Sequence, residues 1–425
     1  MATEVGKSEL DLFSLPPIQI AIQSGAYVSV SPKELTNEHR IKLSHIVSEG
    51  HYADLAKSYI TFKVKIVGAT ETVNKVGPVN LWGHSVFEQL SVKLNGETLT
   101  ENTTTYPYEA MIGTVLSYGT DAKNSHLGLA GYAKDIATKM DNFDPTENGC
   151  NPGLIIRSKP VSKGKTTELL IRPFTALFQQ DRLIPSGMKI EITLIPSKSE
   201  FNLMALAEDD SGKYKTVISD MELHVRQVKL LPSVMASILT EREHRNILLP
   251  MKKLCTSPIS IPVGTQSIDH PISEGPIPTR IYMIMVEEKA RFGCYKLNPF
   301  NLQHFNLIDC KLQVNSTSVP TDSYKPNFKD DLYKECYFSM FSQMGCMFDD
   351  CGMDISYSDY KNGYTILAFD LTADLEDGDH RELRKMGDVR LRLKLAKSHI
   401  TTIDILCIKE FDTVVEIDKH GKVFQ

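Results

Sequence analysis

The sequence predicts an all-β protein built as two similar β-sandwiches in tandem, with short helices in the long loops. Three observations carry this expectation. The second half of the 425-residue chain repeats the plan of the first. Apolar residues recur mainly at every second position, the signature of half-buried strands. Tight-turn signals sit between the alternating runs.

The repeat is clearest around two histidines. One run reads His84-Ser85-Val86-Phe87-Glu88-Gln89-Leu90-Ser91-Val92-Lys93-Leu94-Asn95-Gly96. The other reads His304-Phe305-Asn306-Leu307-Ile308-Asp309-Cys310-Lys311-Leu312-Gln313-Val314-Asn315-Ser316. At an offset of 220 (304 minus 84) the His, the alternating apolar positions and the turn Asn coincide. Each run is followed by an aromatic helix candidate, Tyr106 to Leu116 ending near Gly119, and Leu332 to Phe341 ending near Gly345. A third pair follows. Leu169-Leu170-Ile171 leads to Thr175-Ala176, then Gly187 and the alternation Met188, Ile190, Ile192, Leu194. Ile366-Leu367-Ala368 leads to Thr372-Ala373, then Gly387 and Val389, Leu391, Leu393, Leu395. There the offset is 197 (372 minus 175), so the loops between matched blocks differ in length. The period is far too long for a solenoid, and duplication of a whole domain is the simplest reading.

Taken in order, Tyr59 to Ile66 puts Ile60, Phe62, Val64 and Ile66 on one face and Lys63 and Lys65 on the other. Asn95-Gly96 marks a two-residue hairpin, because a type I′ turn needs positive φ at both central positions. Glu208 to Lys213 reads as a polar hairpin tip. Met221, Leu223 and Val225 alternate with Glu222, His224 and Arg226. Pro232 to Arg242 changes to helical spacing, with Ser233 as N-cap. The domain boundary is placed here: residues 1–231 form the first unit, 232–248 the linker helix and 249–425 the second unit. Many strands with hairpins, in two copies with long loops, point to sandwiches rather than an α/β sheet. A jelly roll, eight strands in two facing sheets, manages its edges and lets long loops project from one end.

Composition narrows the function. Net charge is −6, so no global basic field holds nucleic acid. Met1 to Leu15 carries one Lys and no Arg, which matches neither a basic arm nor a signal or transit peptide. The longest apolar run, Ile281 to Val286, is far shorter than the ~20 residues of a membrane helix. Eight Cys without a C-x-x-C read as reduced, mostly buried thiols in an intracellular setting. The N-x-[ST] matches at Asn102 and Asn315 read as chance.

Motifs for chemistry are absent. The twelve His form no H-x-H, H-x-x-H or H-E-x-x-H, so no metal site is expected. His84 and His304 are expected to close the same strand-entry turn, each in its own sandwich. Asp374 to His380 fails as an EF-hand, since Ala373 and Leu375 would fall at ligand positions. It reads as a polar crossover turn. Arg157 to Lys165 is basic but lacks interleaved aromatics, and reads as a solvated loop rather than a nucleic-acid site. No catalytic, cofactor-binding or metal-ligating residue is assigned.

One charged feature stands out. Arg390, Arg392 and Lys394 alternate with Val389, Leu391, Leu393 and Leu395, so three cations share the outward face of one strand. Like charges spaced ~7 Å apart repel. This face is a candidate contact with acidic residues, on a neighbouring subunit or an adjacent loop. The competing reading is a solvated edge strand blunted against aggregation by its charges.

The ordered set Lys7-Ser8-Glu9-Leu10-Asp11-Leu12-Phe13 with Pro16-Pro17, Leu94-Asn95-Gly96, Thr104-Thr105-Tyr106-Pro107-Tyr108, Asn298-Pro299-Phe300-Asn301, Asn362-Gly363-Tyr364 with Phe369-Asp370-Leu371-Thr372, Gly378-Asp379-His380, and Glu410-Phe411-Asp412 with Glu416-Ile417-Asp418 carries a family resemblance. From about Lys7 to Asp418 the chain resembles the double jelly-roll major capsid protein (hexon) of Polinton/Maverick elements and adintovirus-like double-stranded DNA viruses. The resemblance implies a homotrimeric, pseudo-hexagonal capsomer that tiles an icosahedral shell around double-stranded DNA, in the virion, after synthesis in the host cytoplasm or nucleus. It implies no cofactor and no active-site residues, no specific DNA-binding motif, and a separate penton protein at the five-fold vertices. The rival readings are a minor capsid, spike or host-co-opted structural protein of the same lineage, and a tandem jelly-roll enzyme or lectin. The last should carry paired His ligands, a secretion signal and disulfides.

Overall fold

The computed structural model describes residues 12, 18–33, 40–68, 75–100, 104–206, 214–346, 352–375, 380–397 and 399–425. The Glu208–Lys213 tip, Asn102, Cys351 and most of the Lys7–Phe13 and Pro16-Pro17 markers lie outside the described residues.

Among the described residues, sixteen strands build the two sandwiches. The first eight are β1 (Ile22–Val30), β2 (Ile41–Ile46), β3 (His51–Gly68), β4 (Phe87–Leu94), β5 (Glu97–Thr98), β6 (Thr167–Ile171), β7 (Lys189–Pro196) and β8 (Tyr214–Leu230). The second eight are β9 (Ile247–Ile261), β10 (Ser267–Pro276), β11 (Arg280–Glu287), β12 (Leu307–Val314), β13 (Thr317–Tyr324), β14 (Ile366–Asp370), β15 (Met386–Leu395) and β16 (Ile403–Ile417). The first set forms two antiparallel sheets, β1-β8-β3-β6 and β2-β7-β4-β5. The second set forms β9-β16-β11-β14 and β10-β15-β12-β13. Adding eight to each strand of the first pair gives the second pair, so the order is that of two jelly rolls. Short strands Val76–Pro78 and Leu203–Ala205 pair beside the first sandwich, and Val423–Phe424 extends the second.

The alternation resolves as expected. Ile60, Phe62, Val64 and Ile66 are buried, as are Met221, Leu223, Val225, Val389, Leu391, Leu393 and Leu395. Facing side chains of each sheet pair form a core that runs on through both halves as one cluster. Strand β11 differs from its counterpart β3: from Arg280 to Val286 every residue is buried, because both faces of the strand are covered.

The 220-residue offset is written into the hydrogen bonds. Asn95 and Asn315 both adopt positive φ, 47° and 52°, at the β4–β5 and β12–β13 turns. Asn95 Oδ1 accepts from Lys189 N at 2.6 Å while its own N–H reaches Lys189 O at 2.8 Å. Asn315 does the same to Asp388, at 2.9 and 2.8 Å. Each turn Asn thus clamps the start of the neighbouring crossover strand. This registers Ile190 with Val389, one pleat later than matching Met188 to Val389 would give. Thr175 and Thr372 each follow the matching strands β6 and β14. Helices Tyr106–Ser117 and Lys334–Ser342 occupy the two expected aromatic segments.

Helix Pro232–His244 joins the halves, and none of its residues is buried. Its N-cap is Leu231, which corrects the assignment of Ser233. Pro232 takes the first helical position, where its fixed φ suits the helix and its missing N–H loses nothing. Val234, Met235 and Ile238 rest on Tyr52, Val228 and Leu230. Among the described residues no helix is long and apolar enough to cross a membrane.

Candidate assembly surfaces

Inside the chain, the first sandwich packs on the second. Short helix Ala176–Gln179 packs on strand β9, and beside it helix Tyr106–Ser117 faces the same side of sheet β9-β16-β11-β14 across a shared cavity. Thr256 Oγ1 donates to Glu109 Oε1 at 2.6 Å. Tyr108 meets Phe300 edge-on with ring centroids 5.6 Å apart. Beneath Ile112 and Phe174 lie Leu254, Arg280, Tyr282 and Glu410, around a cavity of about 290 Å³. Arg280 pairs with Asp370 at 3.0 Å, both nearly inaccessible to solvent. Further along, Asp141 accepts from Asn298 N at 2.8 Å and from Asn301 Nδ2 at 2.6 Å. Burial raises the Asp141 carboxyl above its ordinary range. Lys134 reaches Asp359 at 3.0 Å. Lys123 donates to Val115 O and Met353 O, and burial pushes its amine down to about 8.

Arg157 belongs to this seam rather than to a solvated loop, which corrects the reading of Arg157–Lys165. It ends the short helix Pro152–Ser158, capped by Asn151. Its guanidinium meets Asp135 at 2.8 Å, with both side chains 2% exposed. It also donates to Pro78 O and Ala133 O. Asp135 in turn accepts from Asn151 and from Asn298, and its backbone carbonyl accepts from Tyr364. One ion pair therefore anchors both halves. Only Lys159, Lys163 and Lys165 of the segment are exposed cations.

His84 and His304 sit at matching places, each just before β4 or β12, and in separate surroundings. His84 is buried, with Nδ1 2.7 Å from the Tyr106 hydroxyl. That hydroxyl accepts from Phe174 N, so its proton points to His84 Nδ1. Burial drives the imidazole down to about 3. His304 accepts from Asn306 N at 2.9 Å and stacks on Phe328 at 3.9 Å. Burial, with Lys361 nearby, lowers it to about 4. Both rings are therefore neutral near pH 7.

The basic strand has an acid beside it in the same chain. Arg390 Nε meets Asp269 Oδ1 at 2.8 Å, and Arg392 Nε meets Oδ2 at 3.1 Å. The hydrogen bond from Arg390, joined by that from Arg392, holds the Asp269 carboxyl below its ordinary range. Lys394 is exposed and pairs in register with Ser267 and Asp309. Strand β15 is not an edge strand, which corrects that alternative: it lies between β10 and β12. A strand's place in a sheet depends on its partners, so its own residues do not announce it.

In the Asp374–His380 turn, His380 Nε2 lies 2.7 Å from Asp374 and 3.7 Å from Glu382. Glu376–Asp379 lie outside the described residues. Seven described cysteines are free thiols, of which Cys150, Cys310, Cys336 and Cys407 are buried. Burial raises Cys336 and Cys407 to about 12, which makes them unreactive.

No protein-family model matches the chain. It is 23% identical over 399 residues to "Uncharacterized protein F54H12.2" of Caenorhabditis elegans, spanning 86% of this chain and 88% of that one. Among solved structures, it resembles a chain in the cryo-EM structure of the Sputnik virophage with a TM-score of 0.67 at 11% identity, covering 100% of this chain and 92% of that one. It resembles the Faustovirus major capsid protein at 0.57 and 10% identity, over 96% and 93%. It resembles the mavirus major capsid protein at 0.53 and 12% identity, over 100% and 95%. With the duplicated strand order, these whole-chain likenesses establish the fold: this protein is a double jelly roll, of the kind found in viral major capsid proteins.

Proposed function

We propose that the protein is a major capsid protein, a structural subunit without catalysis. The observation that carries this is the pairing of two like sandwiches by unlike surfaces. Helices Tyr106–Ser117 and Ala176–Gln179 of the first meet one face of sheet β9-β16-β11-β14 of the second. A contact between unlike surfaces generates a ring when its rotation closes. Three chains of two sandwiches then make a pseudo-hexagonal homotrimer, the hexon-like capsomer of an icosahedral shell. Each inter-chain contact would be of obligate size, over ~2,000 Å². Whole-chain likeness to viral major capsid proteins supports the same reading.

In this reading the jelly rolls spanning 1–231 and 249–425 are the repeating units. The lineage is that of Polinton/Maverick elements and adintovirus-like viruses, and the location is the virion. Five-fold vertices take a separate penton protein. The shell encloses double-stranded DNA without gripping it, consistent with a net charge of −6. Arg390, Arg392 and Lys394 are candidate contacts with a neighbouring subunit, with Asp269 ordering the two arginines in advance. The nematode relative favours a second reading, a host-genome copy of the same lineage kept as a structural protein.

Negative-stain imaging of the purified full chain tests the proposal. Triangular or hexagonal particles, and sheets or shells of them, are expected. A chain that stays monomeric at micromolar concentration overturns it.

A further inference from the structure

Helix Pro232–His244 forms one wall of a recess. Its contact with Tyr52, Val228 and Leu230 is a small cluster separate from the main core. Beside that contact lies a cavity of about 600 Å³. Its apolar wall is Tyr52, Leu183, Leu230, Ile238, Ile247 and Leu248, drawn from the first sandwich, the helix and the start of β9. Packed protein interiors leave few gaps larger than a water molecule. Apolar recesses of ~300–1,000 Å³ with a few convergent polar groups are the usual form of a small-ligand site.

The charged groups of this recess are mainly cations. Arg182, Arg242 and Arg245 line it against one acid, Glu241, a net charge of +2 (3 minus 1). Glu241 pairs with Arg245 at 3.7 Å, where both side chains are exposed. Arg182 Nη1 donates to Leu248 O at 2.8 Å, and Arg242 Nη2 to Asp418 O at 3.3 Å. Among the described residues neither Arg182 nor Arg242 forms an ion pair. Their two anchors lie close together, since Leu248 pairs in register with Glu416, two residues before Asp418. The acids nearby are engaged elsewhere. The Asp418 carboxylate accepts from His420 N and Lys422 N, each at 2.8 Å, and Glu416 accepts from Asn246 at 3.0 Å. Arg242 Nε is buried and has no acceptor among the described residues. Burial raises the Tyr52 hydroxyl and the nearby charge of Arg242 opposes that rise, which puts the cation beside the floor of the recess.

We infer that this recess binds a free fatty acid, its aliphatic chain along the apolar wall and its carboxylate between Arg182 and Arg242. A guanidinium meets a carboxylate through two parallel N–H···O bonds. Each methylene taken out of water adds to the binding. The occupant is a single molecule rather than a bilayer surface, because Tyr52 and Leu230 are buried beneath the helix, where chains packed in a membrane do not reach. All of the lining belongs to one chain, so the inference stands apart from the trimer reading.

The test uses the full chain and laurate carrying carbon-13 at its carboxyl, kept below the concentration at which it aggregates. Carbon-13 NMR reads the bound carboxyl as a shifted signal, and titration gives stoichiometry and affinity. One laurate per chain is expected. Arg182→Gln and Arg242→Gln should each weaken binding about tenfold, the loss of one charge-assisted hydrogen bond. In competition, 1-dodecanol, with the same chain and no charge, should bind at least ~tenfold more weakly. Ile238→Trp fills the recess and should abolish binding. Leu239→Ala, on the exposed side of the same helix, should stay within twofold of the wild type. Circular dichroism confirms that each variant is folded. A wild-type chain without saturable laurate binding overturns the inference. Laurate and 1-dodecanol binding alike, untouched by the arginine substitutions, also overturns it and shows apolar adsorption. A chain that floats with phosphatidylglycerol vesicles yet takes up no laurate overturns it in favour of a membrane surface.

Discussion

Replacing Arg157 with Met should destabilise the protein more than any surface change of similar size. Asp135 is 2% exposed and would lose the cation 2.8 Å away. It would keep only the amide donors of Asn151 at 2.8 Å and Asn298 at 3.3 Å. Two buried carbonyls, of Pro78 and Ala133, would also lose a donor. Breaking a buried ion pair by removing one partner costs about 3–5 kcal/mol, because the remaining charge is stranded. At 2–4 °C per kcal/mol for units of roughly this size, the thermal midpoint should fall by roughly 10 °C. Arg157→Met with Asp135→Asn removes the stranded charge and should recover about half of that loss. Differential scanning calorimetry at neutral pH reads both. A single-variant shift under ~2 °C would refute the view that this pair anchors the seam. So would a double variant worse than the single one.

Other outcomes follow from the same geometry. His84, held down to about 3 against an ordinary 6.5, is neutral when folded and protonates when unfolded. Its contribution is therefore intact above pH 6.5 and falls away as pH drops towards 3, by about 2 kcal/mol at pH 5. His84→Gln should flatten the acid side of a midpoint-versus-pH curve, and an unchanged slope would exclude His84 as its source. Asn95→Ala and Asn315→Ala should each cost about 1–2 kcal/mol in urea unfolding, since each removes a clamp and puts Ala at positive φ. Unequal effects, with one near zero, would count against equivalent clamps. Arg390→Glu with Arg392→Glu should raise the salt sensitivity of higher assembly, read by light scattering against ionic strength. Trimers and lattices that form as in the wild type would leave the strand a solvated face.

The fold was legible because a half-buried strand writes its burial at every second residue. Strand β3 shows this in Ile60, Phe62, Val64 and Ile66, and β15 in Val389 to Leu395. Asn95 and Asn315 were legible because a left-handed turn position selects Asn. The seam between the sandwiches was less so. Its trace is the run Ile281–Val286, read as an apolar stretch too short for a membrane. In the folded chain that run is buried on both faces, unlike the alternating β3. Arg157 was misread because its neighbours Lys159, Lys163 and Lys165 are solvated, while its partner Asp135 is 22 residues away. Asp269 lies 121 residues from Arg390, beyond any local pattern.

The most direct test of the account is cryo-electron microscopy of the purified full-length chain. The account predicts a three-chain particle with six similar sandwiches around a central axis. A monomer, or a particle with two-fold symmetry, would contradict it.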